Sequence, residues 1–175
     1  VVIMAGGLGS RLGELTKEIP KPMLPVRGKP ILEEILERFK IFGFHRFVFC
    51  LNYKAEIISS YFEDGQKFNC NIKYTYEDRK LGTAGALSII DSEWLSDSII
   101  ITNGDVLTNC NYEDFIDFHV RSNAEATMCI RQHPFQIPFA TVEVDTKNKL
   151  VVLEEKPTMS FFINAGIYCL KKECI

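Results

Sequence analysis

The chain has 175 residues, 46% of them hydrophobic and 25% charged, with a formal net charge of −3. Such a balance suits one domain with a substantial core, and the scattered basic residues form no positive band for a nucleic-acid duplex, although mononucleotides stay open as partners. No apolar run approaches the roughly 20 residues of a membrane helix and no signal-peptide pattern opens the chain, so a cytoplasmic protein without a membrane partner is expected.

The apolar run Val1 to Met4 predicts a short buried strand, and because the chain starts inside it the sequence reads as a trimmed piece. After the strand comes a loop, Ala5-Gly6-Gly7-Leu8-Gly9-Ser10-Arg11-Leu12. Backbone without side chains can turn its N–H groups toward an anion, and a polyphosphate is the natural guest. Arg11 offers a planar fork of donors, and Lys21, framed by Pro20 and Pro22, offers a point charge for a second phosphorus. A tight turn with an exposed arginine is the alternative reading of the loop alone. Two other glycine loops do not fit. The dinucleotide fingerprint needs a third glycine where Leu12 stands, and the P-loop needs glycine at Met23 and Ser or Thr at Pro30 around the pair Gly28-Lys29.

Ile31, Leu32, Ile35, Leu36, Phe39 and Phe42 recur at helical spacing up to Gly43, and Arg46 to Leu51 predicts a buried strand. A second helix is expected over 54–63, stopped near Asp64-Gly65, then a strand from Asn71 to Tyr76, a helix from Gly82 to Ile90, and a strand from Ser98 to Thr102. A helix from Tyr112 to about Arg121 completes a nucleotide-binding half over 1–123, in which alternating strands and helices predict a parallel sheet covered on both faces. From 124 to 175 the pattern changes to short strands, Ala126 to Gln132, Phe139 to Val144, Leu150 to Leu153 and Phe161 to Leu170, with a hairpin turn over 145–149. We take this as a second half of one continuous domain. Six cysteines without a Cys-x-x-Cys pair read as reduced core residues, and His45, His119 and His133 as ordinary surface or half-buried histidines.

Asn103-Gly104-Asp105 follows the predicted strand from Ser98 to Thr102, at the carboxyl end of the sheet where ligands of open α/β folds bind. An apolar strand that ends in a carboxylate has placed an acid beside the glycine loop; a turn-capping aspartate is the alternative reading.

Taken in order, Gly6 to Leu12, Pro20 to Pro25, Leu81-Gly82-Thr83-Ala84-Gly85-Ala86-Leu87, Asn103-Gly104-Asp105, Glu155-Lys156-Pro157 and Asn164-Ala165-Gly166-Ile167-Tyr168 resemble the signature of sugar-1-phosphate nucleotidylyltransferases. Such enzymes join a nucleoside triphosphate to a sugar 1-phosphate and release pyrophosphate. The resemblance implies a Rossmann-like three-layer α/β sandwich with a mixed, mainly parallel sheet, the nucleotide-diphospho-sugar transferase fold of glycosyltransferase A type. It assigns the β and γ phosphates to Arg11, the region of the α phosphate to Lys21, Mg²⁺ to Asp105 and the sugar phosphate to Lys156. Ala5, Gly6, Gly7, Gly9, Ser10, Arg11, Gly82 and Thr83 would line the nucleotide, and Glu155 and Asn164 would read sugar hydroxyls. Taken alone, Lys156 is also a solvated strand-end lysine and Asn164 a turn residue. Glu154, next to Glu155 on a strand, would point to the opposite face. A second metal-binding aspartate belongs to a continuation of the family domain that this sequence does not contain.

Glu77 stands where relatives often carry glutamine, and a carboxylate accepts from the N1–H and exocyclic amine of guanine, which suggests GTP. An exposed acid beside Asp78, Arg79 and Lys80 is its other reading. Leu81-Gly82-Thr83-Ala84-Gly85 also resembles guanylyltransferases, including those for mannose or glucosamine 1-phosphate in bacterial surface-glycan pathways. Where relatives often have glycine this chain has Ala140, whose methyl would narrow the sugar pocket. A homo-oligomer is left open. A non-catalytic nucleotide-binding subunit of the same fold is the competing reading, against which the set Arg11, Lys21, Asp105 and Lys156 speaks; a glycosyltransferase is set aside because Asp105 begins no Asp-x-Asp.

Overall fold

A computed structural model describes residues 1–7, 9, 13–78, 82 and 84–175 of the chain. The elements are β1 (Val2–Met4), α1 (Leu15–Glu18), β2 (Pro25–Val26), β3 (Lys29–Pro30), α2 (Ile31–Ile41), β4 (Arg46–Leu51), α3 (Ala55–Phe62), β5 (Asn71–Tyr76), β6 (Ser98–Asn103), α4 (Tyr112–Ser122), β7 (Ala126–Gln136), β8 (Thr141–Val144), β9 (Leu150–Glu154) and β10 (Thr158–Lys171). The main sheet has the order β5-β4-β1-β6-β10-β7. Its β5-β4, β4-β1 and β1-β6 pairs are parallel, and β10 runs antiparallel to β6 from Ile167 opposite Thr102 to Lys171 opposite Ser98. The fold is therefore α/β with a mixed, mainly parallel sheet.

Alternation along β4 explains why the sheet is covered on both sides. Phe47 and Phe49 are fully buried against helices: Phe47 lies edge-on to Phe39 of α2, and Phe49 edge-on to Phe62 of α3. Tyr112, at the start of α4, stacks on Phe39 with centroids 3.9 Å apart. Val48 and Cys50 enter the opposite cluster with Val2, Ile99, Ile101, Ala86, Leu87, Ile90 and Leu95. Burial pushes the Cys50 thiol up to about 12, as suits a small hydrophobe.

That second face corrects an expectation. In place of a helix over 82–90 the chain forms a 3-10 turn over Gly85–Ile89 and another over Ser92–Trp94. Glycine in the first turn weakens a helix, and Asp91 starts the second turn by accepting the Glu93 N–H at 3.1 Å. The apolar residues still reach the core, so the layer is present with tighter winding.

The histidine and cysteine expectations also need revision. His45 and His133 are exposed, but His119 is buried at 1% exposure and shares a 2.7 Å hydrogen bond through Nδ1 with Thr127 Oγ1. Cys50, Cys70 and Cys169 are buried, Cys110 and Cys129 are half-buried, and Cys174 is exposed. None of the six is joined in a disulfide.

The chain divides into two compact units, Val1–Met128 with Gly166–Ile175, and Cys129–Ala165. In the second unit β8 and β9 form an antiparallel hairpin, Thr141 opposite Glu154 through Val144 opposite Leu150, with an irregularity at Glu143/Val144. Its turn is held by the Asp145 carboxylate, which accepts from the N–H groups of Lys147 at 2.8 Å and Lys149 at 2.9 Å.

Candidate functional site

Register decides what meets at the carboxyl edge of the main sheet. Met4 lies opposite Cys50 and Asn103, and Leu51 lies opposite Tyr76, so the residues that follow β1, β4, β5 and β6 leave the sheet side by side. At about 4.8 Å per strand these four ends span about 14 Å. Ala5, Gly6 and Gly7 come from β1, Asn52 from β4, Glu77 from β5, and Gly104 and Asp105 from β6. Of the sequence-predicted nucleotide residues, Ala5, Gly6, Gly7 and Glu77 thus leave the sheet side by side, next to Asp105.

Backbone bonds lock these ends to one another. Ala5 N–H donates to the Cys50 carbonyl at 2.9 Å, Gly104 N–H to the Met4 carbonyl at 2.8 Å, and Glu77 N–H to the Leu51 carbonyl at 3.0 Å. Gly104 suits the close approach: a Cβ there would lie 3.1 Å from the Ala5 Cβ and 3.2 Å from the Met4 oxygen, so the neighbours would have to give way by a few tenths of an ångström. Packing this tight fixes the turn that carries Asp105 against the glycine loop.

Lys21 opens a 3-10 turn, Lys21–Met23, with Pro22 buried inside it. Met23 N–H donates to the Pro20 carbonyl at 2.8 Å and Leu24 N–H to the Lys21 carbonyl at 3.1 Å, which gives the Pro-Lys-Pro segment the stiffness its sequence predicts. Lys21 Nζ reaches Asp105 Oδ2 at 2.5 Å, with both side chains about one third exposed, at 36% and 33%. Sequence reasoning gave these residues separate ligands and did not foresee the pair. Only the fold could reveal it, because the partners lie 84 residues apart.

Asn52 was also missed, although its place directly after an apolar strand was a usable signal. Its Nδ2 donates to the Glu77 carbonyl at 2.8 Å, so the backbone of Glu77 is held from both sides by the end of β4. Gly82 is exposed, with φ +84. Ser10, Arg11 and Thr83 lie outside the described residues.

The sugar-side candidates belong to the unit Cys129–Ala165. Ala140, Glu155, Lys156 and Asn164 are exposed there. Strand β9 ends at Glu154, so the alternation expected to separate Glu154 from Glu155 does not reach Glu155, and both are exposed. Lys156 takes φ +48, and its Nζ lies 3.9 Å from Glu155 Oε1. Gln136 Nε2 donates to the Lys156 carbonyl at 3.4 Å and Ile137 N–H to the Pro157 carbonyl at 3.0 Å, which ties this bend to the end of β7.

No group of three or more His, Cys, Asp or Glu that could hold a metal occurs among the described residues. No helix among them is long and apolar enough to cross a membrane. Among the described residues the edge offers bare backbone, the carboxylates of Glu77 and Asp105 and the Lys21 ammonium, a set suited to a polyphosphate and a hard cation.

The sequence model of the nucleotidyl transferase family matches residues 1–175. A UTP–glucose-1-phosphate uridylyltransferase of Synechocystis is 32% identical over 191 residues, covering 99% of this chain and 49% of that protein. A mannose-1-phosphate guanylyltransferase of Mycobacterium tuberculosis is 32% identical over 178 residues, again covering 99% and 49%. The chain spans about half the length of these relatives. The crystal structure of HddC from Yersinia pseudotuberculosis complexed with GMP-PN superimposes with a TM-score of 0.76 at 28% identity, covering 99% of this chain and 77% of that one.

Proposed function

The chain belongs to the nucleotidyl transferase family, and we propose that its protein transfers a nucleotidyl group from a nucleoside triphosphate, GTP in preference, to a sugar 1-phosphate. The observation that carries this reading is the carboxyl edge of the sheet, where a glycine loop, Lys21 and Asp105 are locked side by side. A sugar-phosphate oxygen attacks the α-phosphorus, the bond to the bridging β-phosphate oxygen breaks, and pyrophosphate leaves as the nucleotide sugar forms. Holding two mutually repelling anions together is most of the work. The glycine loop and Arg11 would bind the triphosphate and Lys21 would neutralise charge near the α phosphate. Lys156 would hold the sugar phosphate, with Glu155 and Asn164 at its hydroxyls.

Asp105 fits Mg²⁺ because its carboxylate is a hard oxygen donor, one third exposed, and already holds a cation, the Lys21 ammonium. A bound Mg²⁺ would supply charge neutralisation at the triphosphate oxygens. Guanine is supported by Glu77, whose carboxylate can accept from two guanine N–H groups, and by the GMP-PN complex of the structural neighbour. The two relatives differ in base at equal identity, so identity does not choose between them. A cytoplasmic place in the supply of nucleotide sugars to surface polysaccharides accords with this reading.

The test is pyrophosphate release by the full-length protein with Mg²⁺, each nucleoside triphosphate, and a panel of hexose and hexosamine 1-phosphates. Release is expected with one sugar phosphate and GTP, and Asp105→Asn should lower turnover by about a hundredfold or more. Because the Lys21–Asp105 pair is partly exposed, and such pairs contribute at most about 1 kcal/mol, the variant should melt within a few degrees of the wild type. Silence across the panel with nucleotide binding intact would instead identify a non-catalytic subunit of the same fold.

A further inference from the structure

Thr16 is the buried residue of the four-residue helix α1, only 4% exposed, and what it holds is the glycine loop. Its Oγ1 lies 3.2 Å from the Gly9 carbonyl oxygen and 3.2 Å from that of Gly13. The Gly13 carbonyl already accepts the Thr16 backbone N–H at 3.3 Å, and a hydroxyl has one proton to give. The Gly13 carbonyl thus has a second donor in the main chain, whereas the Thr16 hydroxyl, which is within reach of both carbonyls, is the donor that Thr16 brings to Gly9. The methyl group acts as well: a Cβ on Gly9 would sit 2.9 Å from Thr16 Cγ2 and 3.3 Å from Lys21 Cβ, and Gly9 takes φ +63. Only glycine follows the path that Thr16 imposes.

The helix is itself anchored from behind. Tyr53 Oη donates toward the carbonyls of Thr16 at 3.4 Å and Lys17 at 3.3 Å, and Lys54 Nζ donates to the Lys17 carbonyl. The tether thus runs from the start of α3 through α1 to the loop that follows β1.

We propose that Thr16 is a positioning residue for triphosphate binding: its hydroxyl keeps the Gly9 carbonyl turned away from the face where phosphate oxygens approach. This rests on the reading that the loop receives the triphosphate. A carbonyl oxygen facing an anion repels it. A loop with Gly6, Gly7, Gly9 and Gly13 also samples many shapes unless tethered, and the fraction of competent loop scales the observed affinity. Thr16 limits both losses without touching the nucleotide.

The variants Thr16→Val and Thr16→Ser separate hydroxyl from shape in the full-length protein. With whichever triphosphate the wild type prefers, Thr16→Val should raise both the dissociation constant and KM about tenfold, equivalent to about 1.4 kcal/mol, and change kcat less than about threefold. Thr16→Ser should restore both constants. Val binding like wild type, or Ser losing as much as Val, would overturn the proposal. Should Thr16→Val not fold, Thr16→Ala against Thr16→Ser makes the same comparison. If the wild type binds no triphosphate, the functional reading falls, and amide hydrogen exchange over residues 5–16 judges the tether by itself. Faster exchange in Val but not in Ser supports it, and equal exchange in all three removes it.

Discussion

His119 shows how one residue can be placed correctly on a helix and still be misjudged. It lies in the last turn of α4, where the helix dipole favours a positive charge, yet it is 1% exposed and its Nε2 is buried without a partner among the described residues. Burial, helped by the nearby Lys171 ammonium, pushes its pKa below the ordinary histidine value of 6.5. The folded protein then binds this proton less readily than the unfolded chain. Its contribution to stability is whole above about pH 6.5 and is lost as pH falls through the depressed folded value. Thermal denaturation between pH 7.5 and 5 should show a falling midpoint, and His119→Asn, which cannot titrate, should flatten that fall. A variant with the wild-type slope would assign the acid sensitivity to other groups.

Among the elements, α4 is the one whose ends are most clearly written in the sequence. Asn111 caps it, accepting from the N–H groups of Glu113 at 3.1 Å and Asp114 at 3.3 Å, and Glu113 and Asp114 themselves favour the positive end of the helix dipole. Inside, Tyr112 lies over Phe39, so the cap also aligns a ring in the core. Asn111→Ala should cost about 1 kcal/mol and lower the melting midpoint by about 2–4 °C. Turnover at a temperature where the variant is folded should change little, because the loop carrying Asp105 is fixed separately through Gly104 and Met4. A large loss of turnover with an unchanged midpoint would show that α4 acts on the site. The 3-10 turn over Gly85–Ile89 is the opposite case, since the spacing of the segment predicts a helix and glycine in its first turn weakens one.

For the whole molecule, burial is unevenly shared. In the first unit β1, β4 and β6 carry residues such as Ile3, Phe47, Phe49 and Ile100 at 2% exposure or less. In the second unit Val142, Val144, Leu150 and Leu153 are each more than half exposed, and Pro157 is its buried residue. Backbone bonds with so little packed around them open locally, whereas those of a buried parallel sheet open only with the whole core. Amide exchange should therefore saturate across 141–154 well before it begins in β1, β4 and β6. Equal protection in the two units would mean that they open as one.

Sequence by itself determined the α/β class, the sheet-forming segments of the first unit, and, of the residues at its carboxyl edge, Ala5, Gly6, Gly7, Glu77, Gly104 and Asp105. It could do so because strand burial, helix periodicity and glycine's freedom are local properties of the chain. The stiffness of Pro20-Lys21-Pro22 and the turn at Gly104 were legible for the same reason. Tertiary structure alone decided the contact of Lys21 with Asp105, the clamp of Asn52 on Glu77, the burial of His119 and the tether of Thr16 to Gly9. Each depends on which chain segments pairing and packing bring within about 3 Å, a distance that a hydrogen bond requires and that sequence spacing does not encode.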